Sequence, residues 1–279
     1  MKANTFIVGA PKAGTTSLHY YLSQHEEVCM SSIKEPNFFS FQEVSSLYYK
    51  APSISNSIKY QHLFEEDKKI MGEASVSYLF YEGVPQRIYD FNPNAKIIIV
   101  LRDPVERAIS HFLMDRRLGY CSYSLETILN NKEKHPLYFQ QFLELGLYYN
   151  QVKRYLDTFG KEQVHILFYA DFKTNLDQQM TSLFQFLNLQ ATDIDYAVKN
   201  PFLSSNHRLI SYLYKYRWIR KTIKSIVPKQ GIKSIKNRFF SSKEKPLFST
   251  SLLNKMKDFY RHDISQLETL LNIDLSLWK

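Results

Sequence analysis

The chain has 279 residues, with 36 Lys and Arg against 27 Asp and Glu, a formal net charge of +9. That length can bury a large core and lies near the size at which single domains begin to split, so one enzyme-sized domain is expected over 1–279. Two distant cysteines, Cys29 and Cys121, and eight scattered histidines argue against a disulfide framework or a metal motif.

The first apolar run, Phe6 to Ala10, is too short for a signal peptide, and no stretch approaches the ~20 apolar residues of a membrane span. These readings favour a reducing compartment and a cytoplasmic protein. The 20 Tyr and 20 Phe are expected mostly in the core and its margins.

Residues 6–17, FIVGAPKAGTTS, read as a strand over 5–10, a tight loop, and a helix over 15–25. A loop between a strand and a helix N-terminus turns backbone N–H groups and the positive end of the helix dipole toward an anion. A Walker A loop runs G-x-x-x-x-G-K-[ST]. Here Gly9 and Gly14 keep that spacing, but Thr15 fills the lysine slot and the loop's one lysine is Lys12. The loop suits a phosphate better than the cleavage of a triphosphate. A P-loop kinase or NTPase remains the alternative reading.

A short strand near 70–73 and a helix over 84–91 come next. Residues 97–101 are a continuous aliphatic run, the mark of a strand buried on both faces, so a strand is expected over 96–101. Arg102 follows at its carboxyl end, where open α/β sheets bind ligands. Asp103 then serves as N-cap and Pro104 as first residue of a helix over 104–118, with Arg107 and Ser110 three residues apart on one face. Arg107 is open between a site role and a surface role. A loop-and-helix region, a helix over 148–159, a strand over 163–169 and a helix over 176–187 complete the alternation. It implies a single α/β domain: a P-loop-type parallel sheet with helices on both faces.

Pro11-Lys12-Ala13-Gly14-Thr15-Thr16-Ser17 after an opening strand resembles the 5′-phosphosulfate loop of sulfotransferases that use 3′-phosphoadenosine 5′-phosphosulfate (PAPS). The strand-end arginine, Asp-Pro and following serine resemble the same family's 3′-phosphate site. Lys34-Glu35-Pro36-Asn37-Phe38-Phe39 resembles the segment that carries the general base in the bacterial and heparan-sulfate-type carbohydrate branch. The resemblance implies PAPS as donor and the 3′,5′-bisphosphate (PAP) as product, with no metal. It assigns donor binding to residues 11–17, Arg102 and Ser110, with Lys12 and Glu35 as the catalytic pair. A sugar hydroxyl is a poor nucleophile, so a positioned carboxylate must accept its proton; Phe38 and Phe39 are expected to pack.

Gly72-Glu73-Ala74-Ser75-Val76-Ser77-Tyr78 matches the family only in part, because Ala74 and Val76 stand where relatives have lysine and proline. Glu73 is a candidate for the substrate site and equally for a structural carboxylate. Gly146-Leu147-Tyr148-Tyr149 resembles a family segment lining the acceptor cleft, which makes Tyr149 a candidate acceptor contact. Arg208 lies where relatives place a residue on the 3′-phosphate. The closing stretch 259–278, with a leucine-spaced helix and D-L-S-x-W, resembles the tail of bacterial members. The implied acceptor is a hydroxyl on a carbohydrate or glycolipid.

Between 215 and 245 lie 11 basic residues and one acid, leaving 25 basic against 26 acidic residues elsewhere. Three readings of this segment stay open: a solvated basic face, a contact with an anionic polysaccharide or the nucleotide, and a peripheral contact with an anionic membrane. No nucleic-acid-binding motif accompanies it, so no nucleic-acid partner is expected.

Overall fold

Five strands form one parallel sheet in the order β2-β3-β1-β4-β5. They are β1 (Thr5–Gly9), β2 (Val28–Met30), β3 (Ile70–Ala74), β4 (Lys96–Leu101) and β5 (Val164–Phe168). The structure, a computed structural model, describes residues 2–196 and 246–279. It also gives the backbone of a small antiparallel pair, Ser204–Ser205 with Phe240–Ser241. The candidate Arg208 and nearly all of the basic segment 215–245 lie outside the described residues.

The strands are parallel because each crossover returns the chain to the same end of the sheet before the next strand begins. Helix α1 (Thr15–Leu22) packs on β1, β2 and β3. Helices α2 (Phe41–Ser45) and α3 (Ser57–Gln61) lie between β2 and β3, and α4 (Val84–Phe91) between β3 and β4. From β4 the chain runs through α5 (Pro104–Leu118), α6 (Leu125–Asn130), α7 (Pro136–Phe142) and α8 (Tyr148–Phe159) before β5. Helices α9 (Tyr169–Thr174) and α10 (Leu176–Phe186) follow, and a C-terminal helix spans Thr250–Leu271. That helix packs on α5 and α8, and α8 packs on α4 and β5. Right-handed crossovers place α1 on one face and the helices from α4 to α8 on the other.

The chain leaves β1 toward β2 but leaves β4 toward β5, in opposite directions along the sheet. Neighbouring strands whose connections diverge open a crevice at their carboxyl ends, where α/β sheets take their ligands. The loops after Gly9 and Leu101 meet there.

Helices 84–91, 104–118 and 148–159 and strand 96–101 fall where the periodicity places them. Asp103 caps α5, its carboxylate accepting from Glu106 N at 2.8 Å. Val152, Tyr155 and Phe159 of α8 are core residues. Helix α1 stops at Leu22 rather than 25, because the His25 ring accepts from Glu27 N and engages Gln190 O, turning the chain out of the helix. Three-residue β2 and the short helices α2, α3 and α9 have no periodic signal of their own; packing creates them. The C-terminal helix opens before 259, at Thr250, with Ser249 Oγ accepting from Leu252 N. Trp278 closes the tail, packed against Tyr148 and Phe168.

Candidate active site

The phosphate loop leaves β1 at Gly9, where a side chain would strike Leu79. Gly14 caps α1 at φ 86°, and a Cβ there would press on the Tyr169 ring at 3.0 Å. Only glycine combines that backbone with that approach. No side chain caps α1 and its first turn has no acidic residue, so its opening N–H groups and dipole face the loop. Pro11, Ala13, Thr15 and Ser17 are buried, and Thr16 is half-buried.

Lys12 takes the left-handed region at φ 68°. Its ammonium reaches Met114 Sδ at 3.3 Å and has no ion-pair partner among the described residues. Burial pushes it down to about 8, with Arg117 and Arg102 acting the same way and Glu35 and Asp115 opposing them. A mostly desolvated cation among two arginines favours an added anion.

Arg102 is buried at the end of β4. Its Nη1 donates to Lys12 O at 3.0 Å, Nε and Nη2 donate to Glu106 Oε2 at 3.2 and 2.8 Å, and its guanidinium lies over the Tyr169 ring. Ser110, half-buried, precedes Met114 by one turn of α5 and shares its face toward Lys12. Arg107 is neither surface nor site: fully buried, it donates to the carbonyls of Gln141 and Phe142 and holds the end of α7.

Glu35 also adopts the left-handed region, at φ 62°. Its N–H donates to Ala74 O at 2.8 Å, and Lys34 Nζ reaches its carboxylate at 2.6 Å. Asn37, at φ 48° and nearly fully buried, secures the turn. Its N–H donates to Ser75 Oγ, its Nδ2 donates to Glu35 O and Pro52 O, and its Oδ1 accepts from Ser77 Oγ. Two non-glycine left-handed residues in one turn cost free energy that only a surrounding network sustains, a pattern that clusters at functional sites. Phe38 stacks on Tyr60 and Phe39 packs in the core, as expected.

Lys12 and Glu35 come from different strands yet lie close enough for each charge to act on the other. The two remaining candidates, Glu73 and Tyr149, are held by other partners. Glu73 is 0% exposed on β3, its oxygens beside the Tyr60 and Tyr78 hydroxyls without a well-formed hydrogen bond. Burial raises its carboxyl to about 8. Tyr149 lies in the first turn of α8, its N–H donating to Asp263, and no described contact joins it to Lys12 or Glu35.

Three further residues belong to the site. Asp115 of α5, 1% exposed, faces Lys12, and burial raises it to about 6 against the pull of the Tyr48 hydroxyl and Lys12. Tyr48 donates to Asp115, and Tyr49 lies within reach of the charges of both Asp115 and Glu35. The signal for Asp115 was present: Arg107, His111 and Asp115 repeat every four residues on the buried side of α5. Tyr48 and Tyr49, in a segment without periodicity, carried none.

A parallel sheet with a glycine-bounded loop at its switch point, a strand-end arginine, and a buried lysine within electrostatic reach of a carboxylate forms a site suited to an anionic ligand. The model of the sulfotransferase domain matches residues 2–268. Human carbohydrate sulfotransferase 15 is 29% identical over 250 residues, covering 66% of this chain and 43% of that protein. Human bifunctional heparan sulfate N-deacetylase/N-sulfotransferase 2 is 29% identical over 195 residues, 66% of this chain and 22% of that protein. The crystal structure of a sulfotransferase from Alicyclobacillus acidocaldarius superimposes with a TM-score of 0.76 at 30% identity, covering 100% of this chain and 99% of that one. The chain belongs to the sulfotransferase domain family, and it spans less than half the length of the curated relatives named here.

Proposed function

We propose that the protein is a PAPS-dependent sulfotransferase acting on a hydroxyl of a carbohydrate or glycolipid. The observation that carries this reading is the placement of the Lys12 ammonium within electrostatic reach of the Glu35 carboxylate, with no ion pair between them. The ammonium is largely buried, has no ion-pair partner among the described residues, and lies within electrostatic reach of a carboxylate held on a separate strand-end turn. The names of the carbohydrate sulfotransferases it resembles support the acceptor class.

The residues present fit a doubly phosphorylated donor. The amides of residues 12–17 at the start of α1 would hold the 5′-phosphate, and Arg102 and Ser110 the 3′-phosphate, with Arg208 a further candidate. When bound, PAPS supplies the sulfuryl group and its bisphosphate departs as PAP. Glu35 accepts the proton of the acceptor hydroxyl as its oxygen attacks sulfur. Lys12 neutralises the negative charge that grows on the leaving side, so the mechanism calls for no metal. Glu73 and Tyr149 stand as acceptor-side candidates. Among the described residues no helix is long and apolar enough to cross a membrane; a cytoplasmic location, with the 215–245 segment as peripheral contact, is part of the proposal.

The test is calorimetry with PAP together with transfer of label from radioactive PAPS to a panel of polysaccharides and glycolipids. PAP is expected to bind and at least one carbohydrate to be labelled. Glu35→Gln should keep PAP affinity and lose turnover by ~10²-fold or more. Failure of PAP to bind while ATP with magnesium binds tightly would overturn the proposal.

A further inference from the structure

Two segments without periodicity, the loop after α2 and the chain from Gly119 to α7, meet beside Lys12 in a tyrosine cluster. Tyr48 and Tyr49 pack edge to face at 5.1 Å, and Tyr49 stacks on Tyr120 at 5.6 Å with 23° between the rings. Tyr48 lies 4.4 Å from Tyr138, whose hydroxyl donates to Tyr120 O at 2.7 Å. Asp115 joins both sides of the cluster: its carboxylate accepts from the Tyr48 hydroxyl and its carbonyl accepts from Tyr120 N at 2.9 Å.

This arrangement does more than fill space. Tyr48, Tyr49, Tyr120 and Tyr138 are each only partly buried, whereas Asp115 beneath them is closed off from solvent. Tyr49 lies within reach of the charges of Asp115 and of Glu35, the proposed base, as well as near Tyr81 and Tyr120. Asp115 also acts on Lys12. The stacked rings therefore begin where the reacting atoms would lie. Flat, rigid rings with a polar tip suit a ligand that is apolar on one face and hydroxylated at its edges.

We propose that Tyr49 and Tyr120 form the platform on which the acceptor's sugar ring lies, and that Asp115, through the Tyr48 hydroxyl, is the positioning residue that holds the platform against Lys12 and Glu35. The inference rests on the sulfotransferase reading above. It selects acceptors that present a ring to the stacked pair and disfavours ringless alcohols.

The experiment uses the whole chain at saturating PAPS, with heparan-type oligosaccharides as ring acceptors and hexanol as a ringless one. PAP affinity is measured in parallel on every variant. Tyr49→Ala is expected to raise the KM for the oligosaccharide about 10-fold, with kcat within about 3-fold and PAP affinity unchanged, and Tyr49→Phe to restore the KM. Asp115→Ala and Tyr48→Phe should each raise that KM. Combined, they should do little more than either alone, because both remove the one hydrogen bond between Tyr48 and Asp115; if Asp115→Ala fails to fold, Tyr48→Phe carries the test. An unchanged KM in Tyr49→Ala with PAP still bound would overturn the platform while leaving the donor site standing. So would labelling of hexanol as efficient as that of the oligosaccharides, or labelling of neither. Loss of PAP binding by the parent protein would instead defeat the sulfotransferase reading.

Discussion

The guanidinium of Arg102 donates to the carbonyl of Lys12 at 3.0 Å, tying the loop after β4 to the loop after β1. One residue thus shapes the loop after β1 and is the one proposed to meet the donor's 3′-phosphate. The bond fixes the backbone of a lysine held at φ 68° and leaves its side chain directed toward α5 at Met114. Arg102 also stacks on Tyr169, the ring that only Gly14 lets approach.

Arg102→Ala should therefore weaken binding of PAP by roughly 10- to 100-fold, the scale of lost hydrogen bonds to a charged group. Adenosine 5′-monophosphate, lacking the 3′-phosphate, should lose much less. Calorimetry on both nucleotides checks this, and equal losses would assign Arg102 to the loop alone.

Lys12 sets a pH dependence for donor binding. Burial first, then the neighbouring arginines, bring its ammonium to about 8 in the free protein. A bound anion favours the charged form and raises that value. PAP affinity should accordingly be level below pH 8 and fall above it, with a proton taken up on binding at higher pH. Lys12→Gln should weaken binding and remove the break. Affinity measured from pH 6.5 to 9.5 in both proteins decides it.

Glu73 sets a pH dependence for stability. Burial raises its carboxyl from about 4.5 to about 8 in the folded protein. Between those values the folded chain holds a proton that the unfolded chain has released, so stability falls as pH rises through this window. The cost is on the order of a few kcal/mol by pH 8. Glu73→Gln should be more stable than the parent at pH 8, with the gain shrinking toward pH 4.5, in denaturant melts across the range. An acceptor KM unchanged in this variant would mark Glu73 as structural, and a raised one as part of the acceptor site.

Asn37→Ala tests the turn that carries Glu35. The change removes the Asn37 partner of Glu35 O and Pro52 O and one of the two partners of Ser77 Oγ, and keeps a β-carbon at a left-handed position. A loss of roughly 2–3 kcal/mol in stability is expected. With PAP affinity unchanged, kcat should drop because the carboxylate is no longer held. A variant with full kcat and lowered stability would confine Asn37 to folding.

The phosphate loop, the capped helix after Arg102 and the strand beside it were readable from the chain because each depends on near neighbours. Gly14 supplies a positive φ, Asp103 caps a helix three residues ahead, and the aliphatic run at 97–101 needs burial on both faces. The sequence by itself also nominated the residues proposed for phosphate and proton chemistry, since Lys12, Glu35 and Arg102 lie within short motifs. Only the tertiary structure decided the rest. Glu35 lies within electrostatic reach of Lys12 on a turn that Ala74 and Ser75 of a distant strand end hold, and Arg107 lost its candidacy to the carbonyls of α7. Asp115 gained its place when the loop bearing Tyr48 folded over α5. Such roles arise from hydrogen bonds and burial between residues far apart in the chain, and no local pattern encodes which distant partner will close over a given side chain.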